Sequence, residues 1–440
     1  MNLQHEQVTA PTSQALGRRG VRAAVRPVVA LAILTATSFF SPGLIGTAGA
    51  AKKAVATTIP AKVKPIKVAG APVVVGWIAQ NGVGTQEALL AEQFVNTNGG
   101  ISGRPLKLAT CSSKGTAASA KSCANQLIRK KVKLVLQGSP DANWAAAAEV
   151  FRVSGTVVIG RSPRSSVDYS DPNAIYLSPS AATVSAATGV YVASVDSPRA
   201  VAIVMSSDPA SKAGLALALG PLRAKGLTPI VTTLTEGLVD EEVISAALSA
   251  VTEAGVSAGG PAAMIALASP EQCLALMEAA KAQAFTGRLI TTDSCATSAT
   301  IEAAADNTEG WVILSAEPNG GAQGALPLFG EYAKAAAQFK IKRSSDPAAA
   351  LSFAAVVDGV SFLAKLEKSV LDANPGVVGA TVKSYLSRAE ATSTYAPKPY
   401  VYKRSKLFPS IAGFTVYASQ LVDGQFVEAP GGSTVDGFLG

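Results

Sequence analysis

A chain of 440 residues is longer than one ordinary domain and suits two α/β lobes, while 48% hydrophobic residues in alternating Ala-rich and Val/Ile-rich runs exclude a disordered or polytopic membrane protein. The formal net charge of +8 points to a polyanion binder only until it is located: Arg18, Arg19, Arg22 and Arg26 face Glu6 alone in residues 1–50, and Lys52, Lys53, Lys62, Lys64 and Lys67 meet no acid in 51–71. Taking these nine basic residues and Glu6 from the totals of 38 and 30 leaves 29 of each sign, so no nucleic-acid partner is implied for the remainder.

Arg18 to Arg26 form a basic region, Val28 to Phe40 an apolar stretch and Ala48-Gly49-Ala50 a small-residue cleavage site, so residues 1–50 read as an export signal cleaved after Ala50. The alternative is an uncleaved anchor, against which the apolar stretch falls short of the ~20 residues a bilayer span needs. The residues after Arg18-Arg19 match a twin-arginine signal poorly, which favours the general secretion route. No cysteine precedes Cys111 to take a lipid. Cleavage also removes His5, the only histidine, and with it Ser-His-Asp or Cys-His nucleophiles and any His-containing zinc site. Neither a catalytic residue nor a cofactor or metal is expected. Residues 51–71, rich in Ala, Lys and Pro, read as an extended tether, with a merely disordered mature N-terminus as the alternative.

From Val73 the chain alternates apolar runs with helical stretches: VVVGWIA, then a helix over 85–98; LKLATC, then 116–131; KLVLQG, then 143–154; and TVVIG. Within the second helix Ala120, Cys123, Ala124, Leu127 and Ile128 fall on one stripe. A second series follows: VAIVMS, a helix over 212–225, TPIVTTLT, a helix over 241–254, AAMIALA, a helix over 270–284, and RLITTD. This is the rhythm of parallel sheets with helices on both faces, in two tandem lobes. Ligands of open α/β sheets bind outside the carboxyl ends of the strands, so facing lobes predict a cleft between them.

Four cysteines in an exported chain can pair in three ways, of which local pairing is the simplest. Cys111 with Cys123, and Cys273 with Cys295, would each staple a strand end to an adjacent helix. Free buried thiols are the alternative.

Across about 73–430 the chain resembles the type 1 periplasmic binding proteins, specifically the leucine/isoleucine/valine-binding receptors of ABC importers. NTNGGISGRPLKL (Asn96 to Leu108), the spacing of Cys111 to Cys123, KLVLQG, VAIVMS, and RLITTDSC followed by NTEGWVILS carry the likeness by their order. The resemblance implies two Rossmann-like lobes joined by a three-strand hinge, with crossings near 179, 317 and 400. Lobe one is then 72–179 plus 318–399, and lobe two 180–317 plus 400–440. It also implies closure of the hinge around a ligand.

By the same likeness, the first lobe holds a ligand carboxylate through two strand-end loops, Gly138-Ser139-Pro140-Asp141 and Arg161-Ser162-Pro163-Arg164-Ser165. The family's Ser and Thr are replaced by Asp141 and Arg164, and a guanidinium there can clamp a carboxylate in bidentate fashion. Asp141 has the alternatives of pairing with Arg164 or capping the following helix. Asp293, ending RLITTD, matches the acid that pairs with a ligand ammonium, with a helix cap as its alternative. The aromatic residues that cover the ligand are missing: Asn81 beside Gln80 stands in the first loop, Ser211 after VAIVMS, and Ala268 after AAMIAL. Trp77 either supplies the missing aromatic surface or belongs to the core.

The expected function is that of a monomeric extracytoplasmic solute receptor, in the periplasm or cell-wall space, that binds an amino acid, an amide or a small carboxylate and serves an ABC permease. The competing readings are a surface sensor not coupled to a permease and a hydrolase using Asp and Lys.

Overall fold

The computed structural model describes residues 66–138, 143–163, 168–196, 198–304, 311–318, 327–342, 347–388 and 398–437. The signal segment and residues 51–65 lie outside them. Residues 66–71, assigned above to the tether, run along the body instead. Ile66 N donates to Thr97 O at 2.9 Å and Ala69 N to Gly103 O at 2.9 Å.

The first sheet is wholly parallel, in the order β2-β1-β3-β4-β5, with β1 over Val73–Gln80, β2 over Leu106–Ser113, β3 over Val135–Gln137, β4 over Val158–Gly160 and β5 over Ala174–Tyr176. Strand alternation divides its two faces. Val73, Val75, Trp77 and Ala79 pack with α1 (Thr85–Thr97) and the later helix α10 (Pro347–Ala364). Val74 and Ile78 turn towards α2 (Ala117–Arg129) and α3 (Trp144–Ser154). The stripe foreseen on α2 is the buried one, with Ala120, Cys123, Ala124 and Leu127 inside and Ile128 half-buried. Between α1 and β2 the double glycine is a steric requirement: Gly100 has φ 66°, and a Cβ there would lie 2.1 Å from Arg104 O.

The second sheet runs β12-β11-β10-β9-β8-β6-β7, with β13 beside β11. Its strands are β6 (Ala200–Ser206), β7 (Ile230–Leu234), β8 (Ala262–Leu267), β9 (Arg288–Thr292), β10 (Trp311–Ser315), β11 (Thr415–Val422), β12 (Gln425–Glu428) and β13 (Thr434–Asp436). The strands from β6 to β10 are parallel and those added by the C-terminal segment antiparallel. Asp423 and Gly424, both at positive φ, turn β11 into β12, the conformation a two-residue hairpin loop demands. One face buries Ala202, Val204 and Met264 under α6 (Glu241–Ser257) and α7 (Pro270–Ala282). The other buries Val201, Ile203 and Ile265 under α4 (Ala181–Tyr191) and α5 (Pro209–Ala224). The short α8 (Ser298–Ala304) follows β9. The helices α9 (Pro327–Gln338), α10, α11 (Lys368–Asp372) and α12 (Pro375–Leu386) return to the first lobe.

The chain passes between the lobes at residues 177–180, after β10 from residue 316, and just before β11. The third passage differs from the expected position near 400. Tyr400 and Tyr402 are buried in the first lobe's core, and Ile411 still bridges Tyr176 of β5. The passage therefore falls at 413–414, because aromatic burial keeps 400–412 with the first sheet. Both local disulfides are present, Cys111–Cys123 with Cα atoms 5.6 Å apart and Cys273–Cys295 at 5.7 Å. Among the described residues no helix is long and apolar enough to cross a membrane.

Candidate functional site

The carboxyl ends of β6, β7, β8 and β9 open on a pocket of about 320 Å³. This is the place that an open parallel sheet leaves for a ligand, since strand ends there give way to loops and helix N-termini. Its walls are built by caps. Asp208, ahead of α5, accepts Ser211 N at 2.9 Å and Ser211 Oγ at 2.6 Å. Ser269 caps α7 in a reciprocal box with Gln272. Thr292 and Ser294 share a hydroxyl hydrogen bond of 2.7 Å around Asp293. Asp293 opens a single 3-10 turn, Asp293–Cys295, whose Cys295 is bonded to Cys273 on α7, so the disulfide anchors the turn that presents the acid.

The pocket carries Asp208, Glu236 and Asp293, together with the hydroxyls of Ser185 and Ser206, and no Lys or Arg is among its described lining residues. Such a lining favours a cationic group in the ligand and disfavours an anion at this end. Asp293 and Glu236 are exposed at the rim, whereas Leu267 and Ala268 form an apolar floor. Ala268 is 8% exposed and backed by the Cys273–Cys295 bridge.

Of the residues singled out from sequence, Ser211, Ala268 and Asp293 are brought together around this pocket. The others described lie in the first lobe. Asn81 is exposed at positive φ after β1, with its N–H donating to Ser113 O at 2.7 Å. Gln80 is half-buried at the end of β1, beside Gly115. Ser162 Oγ donates to Pro179 O at 2.9 Å, tying the β4 loop to the first passage. Trp77 is fully buried and donates from Nε1 to Thr85 Oγ1 at 3.3 Å. It belongs to the core and offers no surface to a solute, because strand alternation aims it with Val75 and Ala79 at α1 and α10. Ser139, Asp141 and Arg164 lie outside the described residues.

Sequence reasoning missed Asp208 and Glu236. Asp208 carries the same signal as Asp293, an acid immediately beyond a predicted strand, but attention fell on Ser211 as the position of a missing aromatic ring.

The family model described as periplasmic binding protein matches residues 65–391. Among solved structures, an ABC transporter substrate-binding protein from Desulfitobacterium hafniense in complex with Leu is 14% identical with a TM-score of 0.58, covering 81% of this chain and 99% of its own. A branched-chain amino acid transporter substrate-binding protein from Streptococcus pneumoniae in complex with isoleucine is 14% identical at TM-score 0.55, covering 83% and 99%. A fatty acid ABC transporter substrate-binding protein from Thermomonospora curvata is 16% identical at TM-score 0.55, covering 85% and 95%. A comparison with curated protein sequences found no match. Two sheets with parallel cores, three passages between them, a pocket at strand ends and a family match over most of the length together give the conclusion that this chain belongs to the periplasmic binding protein family, whose members bind solutes and are not enzymes.

Proposed function

We propose that the protein is the extracytoplasmic receptor of an ABC importer and captures a small polar solute bearing an ammonium group, an amino acid in the first place. The observation that carries this reading is the pocket at the ends of β6 to β9, with Asp208, Glu236 and Asp293 around an apolar floor. Asp293 is the acid that meets the ammonium, since it stands exposed at the tip of β9 on a turn fixed by a disulfide. The solved relatives with leucine and isoleucine support an amino acid. A fatty acid, the solute named for another protein of the same fold, has a carboxyl but no ammonium, so the preference for an amine rests on the acids of this pocket. Closure at the passages between the lobes traps the solute for a permease. Residues 1–50, read as an export signal, support a location of the body outside the cytoplasm.

The test is a thermal-shift screen of the mature chain against amino acids, amides and small carboxylates. A solute at 100 times its Kd stabilises by about 2.7 kcal/mol. Asp293→Ala should abolish the shift for an amine-bearing solute and leave the unliganded melting temperature in place. An unchanged shift refutes the ammonium assignment, and turnover of the solute refutes the receptor.

A further inference from the structure

Arg161 emerges from the end of β4 and is a junction of the passages between the lobes. Its side chain is only 8% exposed, and Nη2 forms an ion pair with Oε1 of Glu317, which follows β10 in the second passage. Its carbonyl accepts Ser178 N at 2.6 Å in the first passage, and the adjacent Ser162 Oγ reaches Pro179 O. Ser315 Oγ donates to Glu317 O, which fixes the acid to the end of β10.

The links differ in kind. The first and third passages are laced by main-chain bonds: Ala412 N and Gly413 N both donate to Tyr176 O, and a Cβ on Gly413 would meet Leu177 O at 2.0 Å. Among the described residues Glu317, by contrast, is tied to the first lobe through an ion pair alone, and Nη2 is not aligned to donate a hydrogen bond across it. Arg161 is thus a buried charge whose compensation comes from the other lobe's passage. Separating such a pair strands a charge away from water, so intermediate positions are disfavoured over paired and fully re-solvated ones.

We propose that the Arg161–Glu317 pair is the clasp of the hinge: it holds the arrangement of the sheets described above and is released when their angle changes. It sets how often the unliganded protein samples other arrangements, and so taxes or favours capture of a solute. Its use depends on the receptor reading, but its test needs no solute, so the two can fail separately.

Lys121 on α2 and Glu253 on α6 are exposed, one on each lobe, and all four native cysteines are in disulfides. Spin labels at Lys121→Cys and Glu253→Cys therefore report the lobe-to-lobe distance in the unliganded protein. In that background Glu317→Gln, Arg161→Gln and the two combined should each shift the main distance or add a second population. Glu317→Gln, which leaves Arg161 buried and unpaired, should move it furthest, and the combined variant should go no further than Arg161→Gln. A parent-like distribution in Glu317→Gln, or single effects that sum in the combined variant, overturns the proposal. Glu317 is 38% exposed, so Arg161→Gln leaves no charge stranded, and a parent-like distribution in that variant overturns the clasp on its own should Glu317→Gln not fold.

Discussion

Glu92 on α1 accepts Leu108 N at 2.7 Å from the outer strand of the first sheet. Burial lifts its carboxyl above the usual carboxylate range, and the Leu108 N–H and the charge of Lys107 offset this only in part. A carboxyl whose folded pKa is raised favours folding while protonated and loses that advantage as pH rises through the folded value. Glu92→Gln keeps a carbonyl acceptor without the charge. At pH 7 it should be as stable as the parent or more so, by less than about 1 kcal/mol given the residue's partial exposure, and the gap should close below the ordinary carboxylate pKa. Denaturant titrations at pH 7 and pH 4 check this, and a clear loss at pH 7 contradicts it. Single residues were also where the sequence was least legible. Asp293 announced itself as an acid ending a strand, whereas Trp77 read equally as ligand surface or core. The parity of a strand tells which residues share a face, but not which face meets a helix and which a solute.

At the scale of elements the apolar runs and helical stripes were enough to place most strands and helices. The helix expected over 85–98 spans Thr85–Thr97, and that expected over 143–154 spans Trp144–Ser154. The third passage was misjudged because the aromatic residues that keep 400–412 in the first lobe have partners far away in sequence. The sheet edges contrast. At β2, Asn96 donates to Leu106 O at 2.9 Å and accepts Leu106 N at 2.7 Å, and Glu92 takes Leu108 N, so α1 side chains occupy the place of a further strand. At β7, Ile230 and Val231 are 37% and 43% exposed in a strand without a charged residue. Val231→Lys should alter stability by less than about 0.5 kcal/mol and slow aggregation on warming, as read by denaturant titration and light scattering. Unchanged scattering removes β7 as the adhesive edge.

At the scale of the whole molecule each lobe holds one disulfide, Cys111–Cys123 between β2 and α2, and Cys273–Cys295 between α7 and the turn after β9. With separations of 12 and 22 residues, each bridge is worth about 3 kcal/mol in the chain-entropy account. Replacing either pair by Ser should lower the calorimetric melting temperature. Only the loss of Cys273–Cys295, which carries the Asp293 turn, should also weaken solute capture, and equal weakening by both pairs contradicts the site. The interleaving of the lobes bears on how the chain is made. The first lobe's interior lacks α10 until residues 347–364 are delivered, and β10 lacks its neighbour β11 until 415–422. A chain emerging amino end first therefore cannot finish either half early. It stays threadable for nearly its entire synthesis, the condition a translocation pore requires, and both halves mature together once the last strands arrive.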